Sequence, residues 1–362
     1  MKYDSRIFIE GREIAVDAPT YFIADIASSH DGELSRAKDL IWQAKESGLD
    51  AVKFQHFKAS KIVSDYGFKN LGGQISHQAS WEKPVFEVYQ QYECSRNWND
   101  ELVQTAQEAG IHFMTTPYDV EAVELLNKNL SAYKIGSGDI TWSEFITFIA
   151  QQGKPVLLAT GASSMDDVER AVDAILNCNR SIVLMQCNTN YTGSLDNFKH
   201  INLKVLQSYS VRYPGMILGL SDHTPGHATV LGAIALGARV IEKHFTDDNN
   251  RIGPDHAFSL SPSAWKDLIE RSRELESSLG NGIKRVEGNE RDTVIVQRRC
   301  LRLTRNMKAG EKVSGSDLEA LRPAPSGACA PHMLTDLIGA TLTNDKVAGD
   351  ALYENDLRCE QC

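Results

Sequence analysis

Between Tyr21 and Gly280 the sequence alternates short runs of β-branched and apolar residues with longer amphipathic stretches. The eight candidate strands are, in chain order, YFIADIAS, AVKFQHF, HFMTTPY, AYKIGSG, PVLLATG, SIVLMQC, MILGLSDH and RVIEKHF. Apolar strands that alternate with helices predict a parallel sheet covered by helices, and eight such units close a (β/α)8 TIM barrel of the α/β class. An open, doubly wound sheet is the alternative, but it has no reason to stop at eight strands.

The length of 362 residues leaves room for a smaller domain after this barrel. We predict a barrel domain at residues 1–280, a charged linker at 281–292 and a small domain of short strands at 293–362. In the last region, stretches of alternating polarity surround Ala309-Gly310 and Ala348-Gly349. The segment Lys58–Asn97 is too long for a simple strand-to-helix loop, so we expect it to fold over the mouth of the barrel.

The net charge of −10 argues against a nucleic-acid-binding surface, because proteins that bind the phosphate backbone carry a basic excess. No apolar run approaches the roughly 18 residues of a membrane helix, and the N-terminus lacks the apolar core of a signal peptide. We therefore expect a cytoplasmic location. The seven scattered cysteines suit reduced thiols better than a disulfide framework, and the C-terminal CEQC reads as a frayed end.

Two neighbouring strand candidates, the seventh and the eighth, both end in histidine, at His223 and His244. In a barrel of this kind the reactive groups lie at the carboxyl ends of the strands. The two imidazoles are then placed to bind one divalent metal from the rim of the barrel. Two ligands alone do not choose among manganese, zinc and iron.

Lys53 and Lys134 lie within apolar strand candidates, where an unpaired ammonium group would be costly. Either lysine alone is best explained by a structural carboxylate partner, but two of them near strand ends of one barrel favour a phosphate or carboxylate pocket. Ser137 and Gly138 are small neighbours that suit such a pocket. Because side chains alternate along a strand, Lys134 and Ser137 share the pocket only if the strand ends or bulges at Gly136.

Carboxylates also occur at the predicted rim. Asp25 lies in the first strand candidate, and Asp139 closes the fourth. Either aspartate would serve as a proton-transfer group, as an acceptor for substrate hydroxyls or as a partner of a lysine. Asp255 lies on a loop after the eighth strand, where Gly253 and Pro254 fix a turn that would direct its side chain towards the metal.

Six segments, in this order, resemble the sialic acid synthases, the family of N-acetylneuraminate synthase and of the synthases of related nonulosonic acids. They are SSHDGELSRAKDLI, GLDAVKFQ, YKIGSGDI, GLSDHT, GARVIEKHFT and GPDHAFSL. The tail, with LRPAPSG, resembles the antifreeze-like SAF domain. The resemblance covers nearly the whole chain. It implies a TIM-barrel enzyme that condenses phosphoenolpyruvate (PEP) with an amino sugar, N-acetylmannosamine or a related deoxy-amino hexose, to give a nonulosonic acid and phosphate.

The resemblance also implies the residues of the site. It places a divalent metal of the manganese type at His223 and His244, and we take these histidines with Asp25 and Asp139 as the catalytic candidates. The residues that it implies for PEP are Lys53, Thr116, Lys134, Ser137 and Ser221. Those that it implies for the sugar are Tyr191, Asp255 and, from the SAF domain, Arg322. It further implies a domain-swapped homodimer in which each SAF domain covers the barrel of its partner.

This chain departs from the family pattern at several positions. Glutamate is usual in place of Asp25 and common in place of Asp139, serine often replaces Ala159, and histidine is common in place of Gln186. The shorter carboxylate at Asp25 puts N-acetylmannosamine itself in doubt as the acceptor. The alternative functions are another PEP-condensing synthase of a 3-deoxy sugar acid and a metal-dependent pyruvate aldolase. A non-catalytic sugar-binding or ice-binding protein would leave the lysines and histidines unexplained.

Overall fold

A computed structural model describes residues 3–358 of the chain. These residues form two compact units that separate after Gly280. The C-terminal CEQC, which the sequence predicts to be a frayed end, lies outside the described residues. Within residues 3–358, no helix combines the length and the apolar character needed to cross a membrane.

The first unit begins with an antiparallel hairpin, β1 Arg6–Ile9 and β2 Arg12–Ala15, and continues with eight parallel strands that close into a barrel. The barrel strands are β3 Tyr21–Asp25, β4 Ala51–His56, β5 His112–Pro117, β6 Tyr133–Ile135, β7 Val156–Ala159, β8 Ile182–Cys187, β9 Ile217–Asp222 and β10 Ala238–His244. Strand β10 pairs with β3 to close the barrel, with His244 opposite Asp25. Each of the eight predicted strands is present, which confirms the (β/α)8 fold.

The first unit also contains eleven α-helices among its described residues, and most of them cover the outside of the barrel. They are α1 Leu34–Glu46, α2 Ala59–Ile62, α3 Asp65–Lys69, α4 Val85–Gln91, α5 Asn99–Ala109, α6 Val120–Leu126, α7 Ser143–Ala150, α8 Met165–Leu176, α9 Val205–Arg212, α10 Ala228–Ala235 and α11 Pro262–Leu279. The last of them begins where Ser261 caps the helix by accepting a hydrogen bond from the Ala264 amide, with Pro262 in the first turn. It ends at Gly280, the boundary of the first unit.

Inside the barrel, the side chains change from apolar to polar along the strands. Near the amino ends, Ile23, Met114, Leu157 and Val240 belong to one buried apolar cluster. Because successive side chains alternate in direction, the residues that follow them on the same face, two and four positions later, also point inward. Those later positions carry the polar residues of the barrel mouth.

The β1–β2 hairpin closes the other end of the barrel. Its residues Ile7, Ile9 and Ile14 belong to the same buried cluster as the lower barrel interior. The tight turn at Glu10 and Gly11 has positive φ at both residues, as a type I′ hairpin turn requires. The sequence analysis assigned no structure to these residues. With the hairpin in place, the carboxyl ends of the strands form the open end.

The segment Lys58–Asn97, which contains α2, α3 and α4, covers part of that open end. Its residues Trp81, Tyr89 and Tyr92 line the same cavity as Gln55 and His244. This agrees with the expectation that a segment of this length folds over the mouth. We call it the cover segment.

The second unit contains short strands around its own small core. Its elements are α12 Arg291–Gln297, β11 Cys300–Leu303, β12 Leu318–Leu321, α13 Leu334–Leu337, β13 Thr341–Leu342 and β14 Leu357–Arg358. The strands form two antiparallel pairs, and Leu301, Leu303, Met307, Val313 and Leu352 are among the buried core residues. Helix α12 begins at Arg291, inside the stretch 281–292 that the sequence analysis took as a linker.

Candidate active site

A small polar pocket of about 40 Å³ lies inside the barrel at the carboxyl ends of the strands. We call it the inner pocket. Its walls bring together most of the predicted site residues: Asp25, Lys53, Gln55, Thr116, Tyr118, Lys134, Gly136, Ser137, Ala159, Cys187, Tyr191, Ser221, His223, Glu242 and His244. They come from all eight barrel strands and the loops after them, so only the closed barrel gathers them.

Each lysine of the inner pocket has a carboxylate partner. Lys53 Nζ lies 2.7 Å from Asp25 Oδ2, and Lys134 Nζ lies 2.9 Å from Glu242 Oε1. Burial alone would raise the pKa of Asp25, but the neighbouring Lys53 ammonium, with His244 and the Gln55 amide, lowers it to about 2. For Lys53, burial opposes the charged form, yet Asp25 and Glu242 hold its pKa above the ordinary value. Asp25 and Lys53 are therefore an ionised pair, and the contact between Lys134 and Glu242 lies in the same pocket.

Glu242 and Gln55 are site residues that the sequence analysis missed. Glu242 Oε1 accepts hydrogen bonds from Lys134 and from the Ser221 hydroxyl, while its buried Oε2 has no partner. The Gln55 amide donates to Asp25 Oδ2 at 2.9 Å. The sequence contained a pattern that could have identified both residues. Glu242 lies two positions before His244, and Gln55 lies two positions after Lys53. Residues two apart on a strand point to the same face of the sheet.

The hydroxyl groups of Thr116, Ser137 and Ser221 also face the inner pocket. Thr116 Oγ1 accepts a hydrogen bond from Lys53 at 3.0 Å, and Ser137 Oγ accepts one from the Gly161 amide at 2.9 Å. Strand β6 ends at Ile135, before Gly136, which lets Lys134 and Ser137 share the pocket as the sequence analysis required. Gly161 permits this packing, because a Cβ atom there would lie 2.9 Å from Ser137 Oγ.

His223 and His244 converge at the rim, with ring centroids 5.3 Å apart. His223 Nδ1 lies 2.9 Å from the Asn188 carbonyl oxygen, which can only accept, so Nδ1 carries the proton and Nε2 keeps its lone pair. Burial lowers the pKa of His223 to about 4, which keeps the ring neutral near pH 7. His244 Nδ1 is buried without a hydrogen-bond partner.

These two imidazoles fit a divalent metal with open coordination positions. Among residues 3–358, no group of three or more histidine, cysteine, aspartate or glutamate side chains is arranged to hold a metal. Neutral imidazoles suit manganese, iron and zinc alike, and the remaining positions would fall to water and to substrate oxygens. The nearest carboxylates are Asp25, with Oδ2 3.7 Å from His244 Nε2, and Asp255, with Oδ2 3.9 Å from His244 Nδ1.

A larger cavity of about 400 Å³ opens above the histidines, and we call it the outer cavity. Tyr191 lines both the inner pocket and the outer cavity, and its ring centroid lies 4.3 Å from that of His223. On its other side, His77 of the cover segment lies 4.9 Å from the Tyr191 ring. The cover segment therefore contacts the site through an aromatic chain that the sequence pattern did not predict.

Asp139 faces the outer cavity, away from Asp25 in the inner pocket. The sequence analysis placed it at the close of the fourth strand, but that strand ends at Ile135 and Asp139 lies in the helical turn Ser137–Asp139. Burial raises the pKa of Asp139 to about 6, and its Oδ2 has no hydrogen-bond partner. Asp139 is half-buried, and its unpartnered oxygen at the cavity wall leaves an acceptor free for a ligand or a water molecule.

Asp255 also faces the outer cavity, and hydrogen bonds from neighbouring loops fix its position. Its Oδ2 accepts a hydrogen bond from the Ser28 amide at 2.9 Å. The next residue, His256, is fully buried and contacts Asp31 Oδ1 at 2.9 Å and Thr246 Oγ1 at 2.7 Å. These contacts tie the loop after β10 to the loop after β3, and the turn directs the Asp255 carboxylate towards His244. That it faces a bound metal stays a prediction.

Three other positions that the sequence analysis discussed do not add a polar group to the inner pocket: Arg322, Gln186 and Ala159. Arg322 is exposed in the second unit, next to Pro323. Gln186 donates a hydrogen bond to the Ile201 carbonyl on the outer face of β8, so this departure from the family pattern does not touch the inner pocket. Ala159 does line the inner pocket, where a serine would have added a hydroxyl.

Comparison with known proteins agrees with this architecture. Residues 40–284 match the NeuB family, and residues 298–358 match the SAF domain. The chain is 37% identical over 309 residues to the N,N'-diacetyllegionaminic acid synthase of Campylobacter jejuni, covering 84% of this chain and 91% of that protein. It is 33% identical over 338 residues to the protein of the same name from Legionella pneumophila, covering 92% and 93%.

A solved structure shows the same fold. The N-acetylneuraminic acid (sialic acid) synthetase of Leptospira borgpetersenii, in complex with citrate, aligns with a TM-score of 0.70 and 25% identity, over 81% of this chain and 96% of that one. The family match covers more than half of the chain, and the eight parallel strands form a closed barrel. The chain therefore belongs to the NeuB family, as an enzyme of the condensing-synthase type with a C-terminal SAF domain.

Proposed function

We propose that this enzyme condenses PEP with an amino sugar to form a nonulosonic acid and inorganic phosphate. The observation that carries the proposal is the inner pocket, in which the two lysine ammonium groups converge on one small space with the hydroxyl groups of Thr116, Ser137 and Ser221. Hydrogen-bond donors held around an enclosed space suit a phosphorylated carboxylic acid. The relatives named as legionaminic and N-acetylneuraminic acid synthases support an amino sugar as the second substrate.

The balance of positive and negative charge in the inner pocket determines whether its side chains alone can neutralise PEP. Lys53 and Lys134 are balanced by Asp25 and Glu242, so these four side chains have no net charge. A phosphate and a carboxylate together need further positive charge. We propose that His223 and His244 hold a divalent metal, Mn²⁺ by family resemblance, beside this pocket. When bound, such a metal supplies positive charge and Lewis-acid activation of a carbonyl oxygen.

The reaction that we propose requires one carbon–carbon bond and one carbon–oxygen cleavage. The C3 carbon of PEP bonds to the aldehyde carbon of the open-chain sugar, and the aldehyde oxygen becomes a hydroxyl. Water then bonds to C2 of PEP through its oxygen, and the bond between C2 and the bridging oxygen breaks as phosphate leaves. Of the two protons of this water, one goes to the former aldehyde oxygen and the other to the departing phosphate, and C2 becomes the ketone carbon of the acid. Lys53 and Lys134 orient the phosphate and carboxylate, while the apolar lower barrel excludes bulk water.

The test is incubation of the purified enzyme with PEP, Mn²⁺ and a panel of acetamido sugars. We expect one phosphate released per keto acid formed, with the acid identified by mass spectrometry. Because the proposed cleavage is carbon–oxygen, PEP labelled with ¹⁸O at the bridging position should release labelled phosphate. Keto acid formed from pyruvate without phosphate release would indicate the aldolase instead. Product formed only from an aldose phosphate without an amino group would indicate a different 3-deoxy sugar acid synthase.

We also propose that the working form is a homodimer in which the SAF domain of one chain supplies Arg322 to the other. His244→Ala and Arg322→Ala proteins should each be nearly inactive. When they are mixed and refolded together, about a quarter of wild-type activity should return, because half of the randomly paired dimers hold one intact site of two. Absence of recovery in a sample with proven heterodimers would exclude an arginine supplied by the partner.

A further inference from the structure

Each of the two rim histidines directly follows a charged residue, and the two charges have opposite sign. Asp222 precedes His223, and Lys243 precedes His244. Because side chains alternate in direction along a strand, the charged residues point away from the inner pocket when the histidines point towards it. Neither Asp222 nor Lys243 is among the described residues that line the inner pocket or the outer cavity. Both side chains are nevertheless only 1% exposed.

The ammonium group of Lys243 holds the chain on both sides of His223. Its Nζ donates one hydrogen bond to Asp222 Oδ2 and another, of 2.5 Å, to the Thr224 carbonyl oxygen. Asp222 and Thr224 are the two neighbours of His223 in the chain. A single side chain of β10 therefore fixes the position of the histidine that follows β9. We call Asp222, Thr224 and Lys243 the clamp.

The Asp222 carboxylate is further held by hydroxyl groups. Thr224 Oγ1 donates to Asp222 Oδ2 at 2.8 Å, and Thr229 Oγ1, from the first turn of α10, donates to the same oxygen at 2.7 Å. The Thr224 amide lies 3.3 Å from the other carboxylate oxygen. Thr224 and Thr229 are buried, as are the two charged residues. Buried polar networks whose members are hydrogen-bonded to one another rigidify the structure around them.

His223 lies beyond the hydrogen-bond ladder that fixes His244. Strand β9 ends at Asp222, whereas His244 is the last residue of β10 and pairs with Asp25 of β3. The last pair in the register between β9 and β10 is Asp222 with Lys243. The ladder therefore stops one residue before His223. At that point the clamp is what connects the backbone around His223 to β10.

Stability alone does not explain a charged pair at this place. A buried ion pair adds little to stability, because the cost of removing two charges from water offsets their attraction. Leu220 and Ile241, which lie two positions before Asp222 and Lys243 on the same outward face, are paired in the register and belong to the apolar core. The charged pair interrupts this apolar face at the level of the histidines, which indicates a role in positioning them.

We propose, on the basis of the metal site proposed above, that the clamp sets the distance between His223 and His244 so that both imidazoles reach one metal ion. Its three members are positioning residues, because they contact neither the inner pocket nor the outer cavity. Without the clamp, His223 is no longer tied to β10, and the metal would keep His244 as its single histidine ligand.

The test measures Mn²⁺ binding by calorimetry, without substrates, in the double variant Asp222→Asn/Lys243→Met. This variant leaves no charge unpaired, and asparagine still forms hydrogen bonds with the threonine hydroxyls. Its Mn²⁺ affinity should fall at least about tenfold, while its urea unfolding midpoint should stay close to that of wild type. Pulsed electron paramagnetic resonance should detect nitrogen from both imidazoles on the Mn²⁺ of the wild-type enzyme, and from only one in the double variant.

The matched control removes a different ion pair by the same two kinds of substitution. Arg96 and Asp119 lie 2.5 Å apart with side chains 11% and 12% exposed, and neither is next to a proposed metal ligand. The variant Arg96→Met/Asp119→Asn should therefore bind Mn²⁺ as wild type does, with nitrogen from both imidazoles.

If the clamp variant does not fold, Thr224→Val decides the question, because it keeps the ion pair and removes only one hydroxyl group. Loss of that hydrogen bond should weaken Mn²⁺ binding at least about threefold. Wild-type Mn²⁺ affinity in a folded clamp variant, or in Thr224→Val where the clamp variant is unfolded, overturns the positioning role and leaves the proposed condensation intact. Wild-type enzyme that binds no Mn²⁺ contradicts the metal site on which the inference rests.

Discussion

Replacing His244 with alanine should lower turnover by at least about 1,000-fold, because a metal that activates a carbonyl is worth several kcal/mol of barrier. His223→Ala should have the same effect. The two rings converge at 5.3 Å between centroids, so the loss of either ring would leave the metal with a single histidine ligand. The barrel should remain folded in both variants, because each ring lies at the mouth, above the apolar cluster of the lower barrel.

The measurement combines activity with metal binding. Wild-type enzyme stripped with a chelator should lose activity and regain it with Mn²⁺, and calorimetry should detect one Mn²⁺ per chain. Each histidine variant should bind Mn²⁺ at least about tenfold more weakly. His200→Ala, at an exposed position after β8, is the control and should behave as wild type. Full activity of the chelated enzyme would rule out the metal.

Replacing Lys53 with methionine should lower kcat/KM for PEP by about 1,000-fold, and it should also destabilise the fold. The ammonium lies 2.7 Å from Asp25 and is almost fully buried, so its loss leaves a buried carboxylate without its partner. Breaking a buried ion pair in this way typically costs about 3–5 kcal/mol of unfolding free energy. Loss of activity alone would therefore not separate a structural lysine from one that binds PEP.

A second substitution makes that separation. Asp25→Asn removes the partner's charge, so the double variant Lys53→Met/Asp25→Asn should recover much of the lost stability. PEP affinity measured by calorimetry should nevertheless be at least about 100-fold weaker in the double variant than in Asp25→Asn alone, because charge-assisted bonds to phosphate are lost. Lys128→Met, on the exposed surface after α6, is the control. Equal PEP affinity in the two variants would show that Lys53 serves only to pair with Asp25.

These expectations give Asp25 and Glu242 a common role beside the lysines. Each carboxylate holds an ammonium group at a fixed position before PEP arrives, which lowers the cost of ordering the site during the reaction. The buried Oε2 of Glu242 has no partner, so this carboxylate also has an oxygen free for a substrate or a water molecule. The pairing of the lysines with protein carboxylates is thus compatible with a role in binding PEP.

The sequence by itself determined the barrel and much of its mouth. Alternating strands and helices are local patterns, and a count of eight selects a closed barrel, so the strands were predictable without any knowledge of contacts. The placement of His223 and His244 was predictable in the same way, because both lie at the carboxyl ends of neighbouring strands, which are at the same end of the barrel. The two-residue period also placed Glu242 and Gln55 on the inner face, although the analysis did not use it for them.

Only the tertiary structure decided the pairings and the division into two spaces. Lys134 meets Glu242 across 108 residues of sequence, and no local pattern specifies which carboxylate a buried lysine contacts. Asp25 and Asp139 look equivalent in the sequence, yet one lies in the inner pocket and the other faces the outer cavity, because β6 ends at Ile135 and the chain turns before Asp139. The contact of His77 with Tyr191 likewise depends on how the cover segment folds over the barrel, since packing between distant segments is set by shape and burial.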